Sequence, residues 1–152
     1  MSLRPKFVVA TPARSVCDDN ARSLTRARAL RFLALGTRHG TAGVPAEETR
    51  LRPVFGLLNY VASQCVSQYR AESFRFSLLP HFDRWVKRML TPGDHIISSY
   101  GYTNECFKWV RAQGGKTFLD GGNSHPAHFW ELLSEEHRRW NCPLPPVSPF
   151  SP

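Results

Sequence analysis

The sequence predicts an α/β protein: a parallel sheet joined by crossover helices. Three observations predict it. Two short β-rich runs, HIISS at 95–99 and KTFL at 116–119, bracket a helical pattern at about 104–113. A second helical pattern follows at about 126–140. Near the amino terminus, KFVVA at 6–10 is an uninterrupted apolar run of the buried-strand kind. Strand–helix–strand–helix at this spacing implies parallel pairing, because parallel neighbours need a long crossover connection.

Taken in order, the first run stops at Pro12, since proline cannot donate to a ladder. Asp18, Asp19 and Asn20 then offer a helix cap. From Ala21 the pattern is helical, with Leu24, Ala27 and Leu30 at three-residue steps and Arg22, Arg26, Arg28 and Arg31 between them. Gly36 is a stop signal. Residues 32–35 suit either the end of that helix or a second strand, because short apolar runs fit both. Residues 37–53 are rich in Gly, Pro, Thr and charge and read as a surface loop.

Residues 55–69 read as a mostly buried helix with Leu58, Val61, Cys65 and Tyr69 on one face. Residues 74–79 read as a strand or extended connector, and Pro80 as the first turn of a new helix. Phe82, Trp85, Val86 and Leu90 then make one apolar stripe. Thr91-Pro92-Gly93-Asp94 is a turn: proline sets φ, and glycine accepts a positive one. Strand 95–99 follows. In the next helix Glu105 suits the positive end and Arg111 the negative end. Gly114-Gly115 stops it, and the last strand runs to Asp120. The final helix offers Phe129, Leu133 and Trp140 to a core. Prolines in residues 142–152 exclude regular structure there, and the ending suggests a chain cut from something longer.

With 152 residues the chain has room for a real core. Its 41% hydrophobic content, four Trp and ten Phe argue against disorder. The net charge of +8 points to an anionic partner: nucleic acid, a phospholipid surface, or a phosphate-bearing or acidic substrate. None of Cys17, Cys65, Cys106 and Cys142 forms a CxxC pair, so buried free thiols in a reducing compartment are expected. No apolar run is long enough to span a membrane, and the amino terminus carries no signal-peptide core. The expected location is the cytoplasm, with peripheral contact at the inner membrane face.

Parallel sheets place ligands in loops beyond the carboxyl ends of their strands. Here those loops are SSYGYT (98–103) and DGGNSHP (120–126). In the second, Gly121 and Gly122 let the backbone turn sharply and come close to a ligand. Asn123, Ser124 and His125 stand at a helix amino terminus, where free N–H groups favour a phosphate, a carboxylate or a polarised hydroxyl. His125 can donate to a ligand or move a proton near neutral pH; it is equally suited to a plain turn, as Ser124 is to a plain cap. Tyr100 and Tyr102 can stack on a sugar or lipid head group, or pack the sheet edge. Arg14 and Ser15 follow the first strand, where Arg14 can fork onto an anion. His125, His128, His137 and Cys142 do not have zinc-site spacing, so no metal is expected. No GxSxG elbow, Walker loop or GxGxxG fingerprint is present, and Cys106 lies in an apolar helical pattern.

The stretch GGKTFLDGGNSHPAHFWELLSEEHRRW, with SSYGYTNECFKWVRAQGG before it, resembles bacterial family-4 glycosyltransferases. In that family a strand ends in an Asp–Gly–Ser–His type loop, followed by a helix with a Leu-x-Glu-Glu stretch. The resemblance covers about residues 93–140. It implies the amino-terminal, Rossmann-like half of a two-domain GT-B enzyme: an acceptor-side domain at 1–141, then a proline-rich tail leading to a donor-binding domain. It implies transfer from a nucleotide sugar, with retention and no cofactor, to an anionic glycan or lipid acceptor. His125 matches the family's catalytic loop histidine; Asp120, Gly122, Asn123 and Ser124 match its neighbours. Arg14, Ser15, Tyr100 and Tyr102 are the further acceptor-binding candidates. The family's first loop is commonly glycine-rich, whereas this chain has TPARS, and the family's paired glutamates, which lie in its donor half, are absent from these 152 residues. Half an enzyme leaves an open edge, which favours pairing of two copies. Two other classes stay open: a basic nucleic-acid-binding module, in which the arginines at 22–31 track phosphates, and a non-catalytic interaction domain.

Overall fold

Val8, Val9 and Ala10 are fully buried, so the strand they form, β1 (Lys6–Thr11), is covered on both faces. The computed structural model describes residues 6–12, 17–37, 43–99, 101–121 and 126–143, without the side chains of residues 59, 68, 69, 72 and 126–130. The elements after β1 are α1 (Cys17–Arg26), β2 (Leu30–Leu35), a 3-10 turn (Ala46–Glu48), β3 (Thr49–Leu51), α2 (Val54–Cys65), α3 (Gln68–Lys87), β4 (Asp94–Ser99), α4 (Asn104–Ala112), β5 (Thr117–Asp120) and α5 (Pro126–Arg139). They fall into two compact units, Met1–Asp120 and Gly121–Pro152.

All five strands lie in the first unit, in the order β3-β2-β1-β4-β5, with every pair parallel. The predicted fold class is what the structure shows: a Rossmann-like parallel sheet flanked by helices. Alternation along the strands divides the core in two. Val8, Ala10, Phe32, Ala34 and Ile96 pack with Phe55, Phe82, Val86, Leu90, Cys106 and Val110, which belong to α2, α3, α4 and the segment after α3. Val9, Leu30, Leu33 and Leu35 pack on the other face with Cys17 and Ala21 of α1. Each fully buried side chain of this size contributes about 1.5–3 kcal/mol. Phe55, Phe82 and Trp85 form a chain of ring contacts beneath α2 and α3.

At the amino edge, buried Asp94 takes an ion pair from Arg31 and hydrogen bonds from the Thr91 amide and hydroxyl, at 2.7 and 3.2 Å. That pair closes the predicted turn at residues 91–94. Phe7 meets His95 edge-on and lies tilted against Phe118.

Several sequence expectations change. Asp18, Asp19 and Asn20 lie inside α1 rather than before it; two carboxylates in the first turn complement the helix dipole. The helix ends at Arg26, Arg28 takes a positive φ of 54°, and Leu30 opens β2. Residues 32–35 are therefore strand, and Gly36 follows a strand instead of stopping a helix. The loop expected at 37–53 contains the three-residue β3. Residues 55–69 split into two helices at Val66-Ser67, and Val61 and Cys65 are exposed. Residues 74–79 are helical, with Pro80 inside the 20-residue α3. In the second unit Trp140 is 69% exposed, its indole N–H donating to Glu136 at 3.0 Å, so it is no core residue. The side chain of Phe129 lies outside the described ones.

Candidate functional site

Where β1 and β4 lie side by side, the connections diverge: α1 covers one face of the sheet and α4 the other. Such a point opens a crevice at the carboxyl ends of the strands. The register sets Thr11 of β1, Ser99 of β4 and Asp120 of β5 along that edge. A parallel strand does lead into Asp120, as the loop reading at 120–126 requires.

The first turns of α1 lean over these strand ends. Cys17 and Asn20 stand three residues apart and so share a helix face. The Cys17 thiol lies 3.2 Å from the Ser99 hydroxyl. The Asn20 amide donates to Asp120 Oδ2 at 2.5 Å. A carboxylate offers about four acceptor positions. One amide therefore fixes the direction of Asp120 while leaving acceptor capacity for a ligand hydroxyl. Ser98 is buried beneath the edge, its hydroxyl donating to the Ala10 carbonyl at 2.7 Å and locking β4 to β1.

The amino end of α4 is closed to anions. Buried Asp83, from α3, accepts the Glu105 and Cys106 amides at 2.7 and 3.0 Å. Those N–H groups would otherwise face a phosphate. Thr103, at the cap position, is 2% exposed, and its hydroxyl has no hydrogen-bond partner. The Cys106 thiol donates to the Asp83 carbonyl at 3.3 Å; burial first, then the neighbouring Asp83 side chain, push it well above the ordinary thiol range. It is no nucleophile, in keeping with its apolar sequence pattern. On the surface of the same helix, hydrogen bonding and charge from Lys108 hold Glu105 below the usual carboxylate range.

Of the residues singled out in the sequence, Asp120 and Tyr102 belong to the described part. Asp120 sits at the strand end, tied to Asn20; Tyr102 is half-buried in the loop after β4, its amide 3.5 Å from the Ser99 carbonyl. Arg14, Ser15, Tyr100, Gly122, Asn123, Ser124 and His125 lie outside the described residues. Sequence reasoning missed Asn20 and Cys17 as partners of the edge. The signal was there: a polar pair at i and i+3 near the start of the first crossover helix. Asp83 gave no such signal, because its target is 22 residues away in sequence.

Among the described residues no group of three or more His, Cys, Asp or Glu side chains gathers. None of the described helices is long and apolar enough to cross a membrane. Fold and edge together define a parallel α/β protein with a polar, carboxylate-bearing strand edge at its switch point. No protein-family model matches the chain, no curated protein matches it, and no solved structure matches it.

Proposed function

We propose that the chain is the acceptor-side half of a retaining glycosyltransferase of the GT-B, family-4 kind, a hexosyltransferase in class. In this reading it works in the cytoplasm, at the inner membrane face, on a glycan or lipid acceptor. The observation that carries it is Asp120: a carboxylate at the carboxyl end of a parallel strand, oriented by Asn20, five residues before His125 in sequence. Carboxylates and amides so placed bind sugar hydroxyls. The capped amino end of α4 argues against a phosphate there, which suits an acceptor half whose nucleotide sugar is held by a second domain.

In this reading Asp120, Asn123 and Ser124 orient an acceptor hydroxyl, and Tyr102 with Tyr100 stacks on the ring. Arg14 and Ser15 meet an anionic group, and His125 faces the donor sugar. Glycosyl transfer develops oxocarbenium character and a departing nucleotide diphosphate, whose stabilisation needs groups from both walls of a closed cleft. The 152 residues supply one wall and are expected to show no turnover.

The test is titration calorimetry of this chain with anionic glycans, alongside an assay of nucleotide-sugar consumption. Asp120→Asn should weaken glycan binding about tenfold, the effect of losing one charge-assisted hydrogen bond. Turnover of nucleotide sugar by the isolated chain, or glycan binding unchanged by both Asp120→Asn and His125→Ala, would overturn the reading. The nucleic-acid alternative draws less support, since Arg22 is paired with Asp19 and Arg31 with Asp94.

A further inference from the structure

Helix α2, VFGLLNYVASQC, carries no charged side chain, yet Phe55 is its one buried residue among those described. Val54, Leu57 and Val61 are 43%, 61% and 47% exposed. Their spacing of i, i+3 and i+7 puts them on a single stripe. Tyr60 flanks the stripe, Val66 follows it, and Phe74 is exposed on α3. Among the described residues, six of the ten exposed large apolar side chains fall within residues 54–74, so this is a patch and not scatter.

The surroundings are basic. Arg50 and Arg52 immediately precede α2, and Arg70 and Arg75 are exposed on α3. From Arg50 to Arg75 the sequence holds four arginines and a single acidic residue, Glu72. Arg52 lies over the Phe55 and Trp85 rings at 5.5 and 5.9 Å, which holds its guanidinium beside the start of α2.

We infer that α2 is a membrane-docking helix for an anionic bilayer. Val54, Leu57, Tyr60 and Val61 enter the boundary between head groups and acyl chains, and the four arginines meet lipid phosphates. An uncharged helix between basic flanks has the character of an interfacial segment. Two other occupants fit less well. A second copy would bring the same arginines together across the contact in a protein of net charge +8. A nucleic acid would reach the same arginines but leave the aliphatic stripe of Val54, Leu57 and Val61 facing water. Because α2 starts at the carboxyl end of β3, docking brings the sheet's ligand-binding edge toward the lipid surface. This deepens the peripheral contact proposed above but requires no sugar transfer, so either can fail alone.

The test is co-sedimentation of the 152-residue chain, without nucleotide sugar, with phosphatidylcholine vesicles containing or lacking phosphatidylglycerol. The wild type should pellet with the anionic vesicles and only weakly with the neutral ones. Leu57→Gln with Val61→Gln should keep the thermal midpoint, since both side chains are exposed, and lower the partition coefficient at least about tenfold. Arg70→Gln and Arg75→Gln should each cost about fivefold at low salt; this pair decides the matter if the apolar variant does not fold. The inference is overturned if neither set of substitutions changes pelleting. It is also overturned if the apolar pair turns a dimer into a monomer in vesicle-free buffer, or abolishes binding to single-stranded DNA while vesicle binding persists.

Discussion

Asp83 takes over a task that Thr103 is placed to perform. A threonine at a helix cap ordinarily accepts from the second or third helical N–H. In α4 those are the amides of Glu105 and Cys106, and both already go to the Asp83 carboxylate. Thr103 is left buried with an idle hydroxyl, which costs stability. Two consequences follow at this single residue pair. Asp83→Ala should lose only about 1–2 kcal/mol, because Thr103 Oγ1 can turn and accept one amide. Thr103→Val alone should be neutral within about 1 kcal/mol, since it removes a group that gains nothing. The double variant then loses both caps, and its loss should exceed the sum of the single losses by about 0.5–2 kcal/mol. Urea denaturation of the four proteins measures this. Additivity to within about 0.3 kcal/mol would mean that Thr103 never substitutes for Asp83.

At the scale of elements, the turn from α4 to β5 contrasts two adjacent glycines. Gly114 has φ +78° and open space around the position of an added Cβ. Alanine there meets only the backbone penalty, about 1 kcal/mol. At Gly115 a Cβ would stand 2.1 Å from the Asp94 carbonyl oxygen and 2.6 Å from Val110 Cγ1. The first is backbone of a central strand and cannot step aside. Gly115→Ala should therefore cost about 3 kcal/mol or more. Equal urea midpoints for the two variants would show that this contact is not as close as the structure places it. The glycine pair was legible in the sequence as a helix stop; which of the two is sterically required was not, because it depends on β4, 21 residues earlier. The same division runs through the fold. The β4–α4–β5 unit was legible, since each element has its own period and its own punctuation. Leu30 was misassigned because a residue that begins a strand also completed a three-residue step from Leu24 and Ala27. Pro80 has the sequence signature of a helix start, yet a 20-residue helix packed through Phe82 and Val86 tolerates the loss of one hydrogen bond. The apolar side chains of α2 announce a buried helix, and only tertiary structure shows which face is left uncovered.

At the scale of the whole molecule, the +8 charge was plain from composition, but what it serves was not, since composition carries no positions. The structure supplies positions: Arg22 and Arg31 are engaged with Asp19 and Asp94, whereas Arg50, Arg52, Arg70 and Arg75 surround an apolar helix. It also shows where the stabilising core resides. Among the described residues, every buried member of both core clusters falls between Val8 and Val110, and all five strands end by Asp120. The first unit thus holds all the described strands and helices packed on each face of the sheet. A chain ending at Gly121 should fold alone, keep its far-ultraviolet helix and strand signature, and unfold in one cooperative step. Its urea dependence should be about 1–3 kcal/mol per molar, as for a small globular domain. The alternative is that residues after 121 complete the core. In that case the shortened chain melts without a cooperative transition and exposes apolar surface to a fluorescent dye. A cooperative transition establishes the sheet as an independent platform, on which the loop after Asp120 can be altered for ligand binding without disturbing the fold that carries it.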